Sequence, residues 1–337
     1  MKFFKRYGGI DHFRMIAAFL VVAIHIAPLS YWNENIDYLI TYCLGRVAVP
    51  FFFMITGYFV IAPYIKNGFA TKRKIYRYLI KNGVMYLGAT ILYMPINLYA
   101  GNFRIDFWDI IKMLIMDGTF YHLWYFPAMI IGCIIIIGLC KKSVAGAALF
   151  SMAMYVIGLL GDSYYGFTSK VPILVAIFNV VFSISSYTRN GVFFAPAFLV
   201  LGTFIALQKG HYRIKDCVVG VSVSVLFMLL EGYITYSIGW QKHNSMYIFL
   251  LPTMYFLFHL LLLVQTKAAV WMRDFSGMIY VIHPAIIILL RGIAKYTRST
   301  TVLIKNTFIQ YICVILLSVA VATVCSFIIR KRKLKCV

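Results

Sequence analysis

Residues 9–25 read GIDHFRMIAAFLVVAIH, an apolar run that nevertheless carries Asp11, Arg14 and His25. At about 100° per residue, Arg14 and His25 are eleven positions apart and return to within roughly 20° of one helix face. A rise of about 1.5 Å per residue separates them by roughly 16 Å along the axis. Asp11 lies one turn before Arg14, close enough to pair with the guanidinium and orient it. Ionisable groups inside an apolar span are costly and read as functional by default. The structural account of the same pattern is a snorkelling Arg14 and a core His25 bonded to a neighbouring helix.

Runs of this kind recur from end to end. The 337 residues are 62% hydrophobic and 12% charged, against about 45–50% and about 25% in soluble globular chains. Segments 11–31, 37–65, 76–100, 121–140, 143–160, 191–208, 216–238, 245–265, 276–294 and 302–329 each suit a hydrocarbon core of roughly 30 Å. The sequence therefore predicts an all-α polytopic bundle of about ten transmembrane helices, forming one membrane domain over 1–337. It excludes a soluble globular enzyme, a nucleic-acid-binding domain and a disordered tail. Pro50 predicts a kink or break in the long second span. Residues 101–120 place apolar side chains at helical spacing with charges between them, as in a helix lying in the interface. Residues 171–186 are too short to span and read as a re-entrant or half-embedded segment, although an eleventh span is defensible. No internal repeat is apparent, which weighs against transporter folds built from inverted repeats.

Lys and Arg number 32 against 10 Asp and Glu. With the N-terminus inside, 22 of them fall in cytoplasmic stretches and nine in outer ones, and Arg46 falls within a span. That asymmetry predicts both termini cytoplasmic; four of the outer charges crowd into 291–305, the weakest part of the assignment. The basic loops orient membrane helices and do not call for nucleic acid. The seven cysteines show no metal-type spacing and read as small residues of the spans. No cleavable signal peptide is expected.

Polar groups in other spans match those of the first. RVAVPFFFMITGYF sets Arg46 deep, beside Pro50, with Gly57 allowing close helix approach. YHLWYF brings His122 and Trp124 to the entry of the fourth span, where an aromatic-belt role is equally open to Trp124. In SGMIYVIHP, Ser276, Tyr280 and His283 share a helix face at i, i+4 and i+7. Glu231 lies within the seventh span and needs a partner such as Arg46 or a histidine. His243 and His259 read as interfacial or core histidines. A histidine can act as base or acyl carrier, and cations can hold phosphate or an oxyanion. A G-x-S-x-G elbow, a P-loop and H-E-x-x-H are all lacking from the sequence, and no metal site is expected.

Arg14-x10-His25, R46-V-A-V-P-F-F-F-M-I-T-G-Y-F, H122-L-W-Y-F and S276-G-M-I-Y-V-I-H-P, in that order, resemble the acyltransferase-3 family of integral membrane acyltransferases across nearly the whole chain. Thr56 stands where many members have Ser. The resemblance implies a multi-pass protein of the bacterial plasma membrane, with no bound cofactor. It would move an acyl group, usually acetyl, from cytoplasmic acyl-CoA to a hydroxyl of an outward-facing acceptor, commonly cell-surface polysaccharide or cell-wall sugar. His25 would then be catalytic, as base or transient acyl carrier. Arg14, paired with Asp11, would hold the CoA phosphates, assisted by the basic 66–81 loop. Arg46, His122 and Trp124 would line the pocket, with Ser276, Tyr280, His283 and Glu231 in support. A pantetheine arm is roughly as long as the separation of Arg14 from His25.

Two further stretches, T188-R-N-G-V-F-F-A-P-A-F-L-V-L-G and H243-N-S-M-Y-I-F-L-L-P-T-M-Y-F-L-F, are similar to the membrane half of vancomycin-resistance membrane-bound serine racemases. In those proteins a racemase domain follows the membrane domain, which is thought to bring in L-serine. None is expected within the residues given, which end RKRKLKCV. This kinship implies an alternative function, an L-serine carrier in which Glu231 and Arg46 bind the cargo. A non-catalytic membrane partner or sensor is the third reading.

Overall fold

The computed structural model describes residues 7–101, 106–208, 210, 212–266 and 271–335. Among these residues every regular element is helical. The principal helices are α1 (Gly8–Ile26), α2 (Glu34–Lys66), α3 (Lys72–Tyr99), α4 (Phe107–Lys112), α5 (Tyr125–Cys140), α6 (Val144–Leu160), α7 (Pro172–Ile184), α8 (Ala195–Leu207), α9 (Ile214–Ser237), α10 (Leu250–Leu263), α11 (Trp271–Tyr296) and α12 (Thr307–Lys335). Six of them, α1, α2, α3, α9, α11 and α12, are long and apolar enough to cross a membrane by length and composition. Five more are apolar but shorter. At 13 residues, α7 is about 20 Å long, well short of a bilayer core.

Local chemistry explains the irregular elements. Pro50 has no N–H to donate four residues back, and the turn just before its helix, Leu44–Val47, winds as 3-10. A second irregularity, a π turn over Gly57–Ile61, precedes Pro63. The second span is thus irregular without being interrupted: a further π turn, Tyr38–Cys43, runs directly into the 3-10 turn, and the helix continues through all three. The interfacial helix expected over 101–120 is shorter. Asp106 caps α4 by accepting from the amides of Trp108 and Asp109, and a π turn then runs to Asp117. Residues 102–105 lie outside the described part.

α3 shows how such a helix faces lipid. Ile80, Val84, Leu87 and Ile91 form an exposed apolar stripe, while Asn82, Tyr86, Ala89, Tyr93 and Asn97 form the buried one. That distribution is inverted relative to a water-soluble protein, as a lipid solvent requires. The buried stripe docks the 113–119 segment. Asn97 Nδ2 donates to the Thr119 carbonyl at 2.6 Å, the Tyr86 hydroxyl donates to the Leu114 carbonyl at 2.9 Å, and the Thr119 amide donates back to that hydroxyl at 3.2 Å.

The chain packs as two compact units. The first comprises Met1–Ala48, Arg213–Ser222 and Phe256–Val337. Its core is a three-helix contact in which Ala18, Val22 and Ile26 of α1 meet Ile279, Ile286 and Leu290 of α11 and Val314 and Ala322 of α12. The start of α1 is pinned where the Gly9 amide donates to the Val264 carbonyl at 3.1 Å. The second unit comprises Val49–Tyr212 and Val223–Tyr255. There α8 packs against α5, α6 and the 57–61 turn. Gly57 and Gly202 make that contact possible: a Cβ on Gly57 would lie 2.1 Å from the Leu199 carbonyl oxygen, and one on Gly202 2.2 Å from that of Met54.

Candidate functional site

In the first unit α1 is one unbroken helix from Gly8 to Ile26, so Arg14 and His25 keep the face and the spacing of about 16 Å that eleven helical residues impose. Near its start, buried Asp11 accepts two bonds from Arg273 of α11, Nε to Oδ1 and Nη2 to Oδ2, both at 3.0 Å. Arg14 Nε lies 3.4 Å from the same Oδ1. One carboxylate between two guanidiniums leaves the trio with a net positive charge. Its bidentate bond to Arg273 is the stronger of the two geometries.

At the other end of the same two helices, the rings of His25 and His283 stack with centroids 5.4 Å apart at 21°. His283 is fully buried and its Nδ1 donates to the Ile279 carbonyl at 3.0 Å, a bond that orients the ring. Asp11 meeting Arg273 and His25 meeting His283 set α1 and α11 parallel and in register. Ser276, Tyr280 and His283 do share a buried face. Tyr280 lies 6.3 Å from His283 by ring centroids, and Ser276 Oγ donates to the Arg273 carbonyl at 3.1 Å. Arg46, also in this unit, lies over the Tyr42 ring at 5.5 Å.

The second unit holds His122, Trp124 and Glu231. His122 is buried edge-on against Tyr93 and Phe120, at 5.1 and 5.8 Å. Trp124 packs against Phe194 and Phe53. Glu231 takes neutral donors where a cation was expected. Oε1 accepts from the Tyr164 hydroxyl at 2.8 Å and the Ile248 amide at 2.7 Å, and Oε2 from the Phe249 amide at 3.0 Å. Burial, and then Glu231 beside it, push the Tyr164 hydroxyl well above its ordinary value, so it remains a donor.

Sequence reasoning missed one arginine. Arg273 was counted among loop charges, and only the register of α11 on α1 brings it to Asp11. A signal for Arg273 existed in its spacing, since it lies ten residues before His283 much as Arg14 lies eleven before His25. Among the described residues, no group of three His, Cys, Asp or Glu side chains is placed to hold a metal ion.

The profile of the acyltransferase domain family matches residues 7–329. The chain belongs to the acyltransferase-3 family. An amino-acid racemase of Enterococcus faecalis is 39% identical over 98% of this chain and 46% of its own length. A second from the same organism is 38% identical over 98% and 47%. A serine/alanine racemase of Enterococcus gallinarum is 35% identical over 96% and 46%. This acyltransferase-3 chain thus spans about half the length of the curated relatives it matches, and both resemblances drawn from its motifs hold. No solved structure matches it. Family and helices together make it an integral membrane protein.

Proposed function

We propose that this chain moves an acyl group, foremost acetyl, from cytoplasmic acyl-CoA to a hydroxyl of an extracytoplasmic acceptor, a cell-surface polysaccharide or cell-wall sugar, across a bacterial plasma membrane. The observation that carries this reading is the α1–α11 pair, with cations at one end and His25 against His283 at the other. Arg14, steadied by Asp11 and joined by Arg273, holds donor phosphate. The pantetheine arm then delivers the thioester to His25. There the imidazole takes the proton of the acceptor hydroxyl as its oxygen attacks the thioester carbonyl, the C–S bond breaks, and coenzyme A leaves with that proton as the thiol. Acyl transfer through the ring nitrogen itself would give the same products. His283 and Tyr280 position the ring, with Ser276 and Arg46 in support within the same unit, while His122, Trp124 and Glu231 order the interior of the second unit.

A second reading is a small amino-acid carrier for L-serine; the relatives that share this portion are named as amino-acid and serine/alanine racemases, which links the domain to amino acids without naming transport. Binding of labelled acetyl-CoA to purified protein separates the two. The acyltransfer reading expects saturable binding that Arg14→Ala weakens at least about tenfold, the scale of a lost charge-assisted contact. The carrier reading expects no binding of acetyl-CoA or longer acyl-CoAs. It expects instead uptake of L-serine into vesicles that depends more on Glu231 and Arg46 than on His25.

A further inference from the structure

A cavity of about 380 Å³ opens between the end of α2 and the start of α3, within the second unit. Phe59, Pro63 and Ile75 form its apolar wall, and Asn67, Thr71 and Lys74 its polar one. Main-chain bonds set the turn that frames it. The Phe69 amide donates to the Tyr64 carbonyl at 2.9 Å, and the Gly68 amide to that of Ile65 at 3.0 Å. Phe69 holds a left-handed backbone angle, φ 61°, which bulky residues rarely adopt, and its ring packs edge-on against Tyr64 at 5.2 Å. The cavity is therefore shaped before any ligand arrives, which lowers the ordering cost of binding.

Its surroundings carry one sign of charge. Residues 66–81 hold six Lys and Arg and no Asp or Glu. Arg73, Lys74 and Arg77 are exposed, and among the described residues none of their side chains forms an ion pair. Thr71 precedes α3 without a side-chain hydrogen bond to the helix start, whose positive dipole end adds to the field. Two of these cations also continue the lipid-facing surface. Arg73, Arg77, Ile80, Val84, Leu87 and Ile91 follow at steps of three and four, so they share one face of α3. The last four are the exposed apolar stripe. A stripe crowned by two guanidiniums, with a half-polar cavity beside them, fits an amphiphile that carries phosphate between its acyl chains and a polar headgroup. The chains lie along the stripe, and the phosphate meets the planar forks of Arg73 and Arg77. The headgroup then enters the cavity beside Lys74, Thr71 and Asn67.

We propose that this corner of the second unit is a docking site for an anionic phospholipid. The family resemblance gave the 66–81 loop to the phosphates of CoA; here Arg73 and Arg77 serve lipid, and the inference stands whether or not acyl transfer occurs. The test measures lipid binding to the full purified chain in detergent, with phosphatidylglycerol against phosphatidylcholine of the same acyl chains. Phosphatidylglycerol is expected to bind at least about tenfold more tightly, since each cation near an anionic headgroup contributes about a fivefold factor. On the same scale the double variant Arg73→Gln/Arg77→Gln is expected to weaken it at least about tenfold, and Lys74→Gln about fivefold. Lys141→Gln/Lys142→Gln removes an equal charge from another exposed turn and is expected to leave binding unchanged. Should the double arginine variant fail to fold, Lys74→Gln decides alone. The proposal is overturned if the two lipids bind alike, or if the arginine variant binds as the wild type does. It is overturned equally if both double variants weaken binding to the same extent, as diffuse attraction requires. Displacement of the lipid by millimolar glycerol 3-phosphate or acetyl-CoA would also overturn it, by giving these cations to a soluble phosphate.

Discussion

Asp11 is the side chain on which the cation cluster turns, since it is buried and accepts from Arg273 and lies beside Arg14. Replacing it by Asn keeps the shape but leaves two guanidiniums facing each other. Asp11→Asn is expected to cost about 1–3 kcal/mol and to lower the thermal midpoint by several degrees; an unchanged midpoint would remove the clasp from the account. Glu231→Gln is a different case, because an amide offers one acceptor oxygen where three donors converge. A loss of about 1–3 kcal/mol is again expected, measured by the same melt. Protection of the Ile248 and Phe249 amides from hydrogen exchange should fall with it. The Arg14–His25 relation was legible because both residues sit on one helix, where spacing is geometry. The partners of Glu231 were not, because two of them are main-chain amides and no residue type announces those. Arg273 needed the register between two helices whose paired residues are 262 positions apart, which periodicity within either one does not contain.

Among the elements, the irregularity of α2 was legible at Pro50, since a missing N–H is a property of the residue itself. The π turn at Gly57–Ile61, against which α8 packs, was not. Close approach there depends on hydrogen in place of a side chain at Gly57 and Gly202. Gly57→Ala must push the backbone of α8 away, at a cost of about 1–3 kcal/mol. Gly202→Ala should cost similarly, and because both open one contact the double variant should fall short of the sum. Melts of the three variants check this, and full additivity would show that the two glycines act at separate contacts. The interfacial segment was legible in kind but not in length: Asp106 and the π turn set its ends, and capping geometry is sharper than the amphipathic pattern.

For the whole molecule, the parallel run of α1 and α11 bears on the span count. Parallel membrane helices are separated by an odd number of intervening crossings, and the seven spans read between them satisfy this when α7 does not cross. α12 begins beside the end of α1, where Thr307 meets Ser30 and the Pro28 carbonyl, and returns antiparallel. The start of α1 and the end of α12 thus lie at one end of this unit, and we propose, from the excess of Lys and Arg, that this end is the cytoplasmic one in a ten-span topology. Single cysteines on a cysteine-free background check it: Lys242→Cys should react with an impermeant maleimide in intact cells and Lys142→Cys only after lysis, while the reverse would invert the topology. The central claim is that His25 works on an acyl group held by the arginine end of α1. Its most direct test is turnover of labelled acetyl-CoA by the purified protein, wild type beside His25→Ala. The account predicts that both bind the donor, and that the wild type transfers or slowly hydrolyses the acetyl group while the variant is slower by at least about 100-fold, the scale of a lost acid–base group. Equal turnover by the two proteins, or failure of the wild type to bind any acyl-CoA, would contradict it.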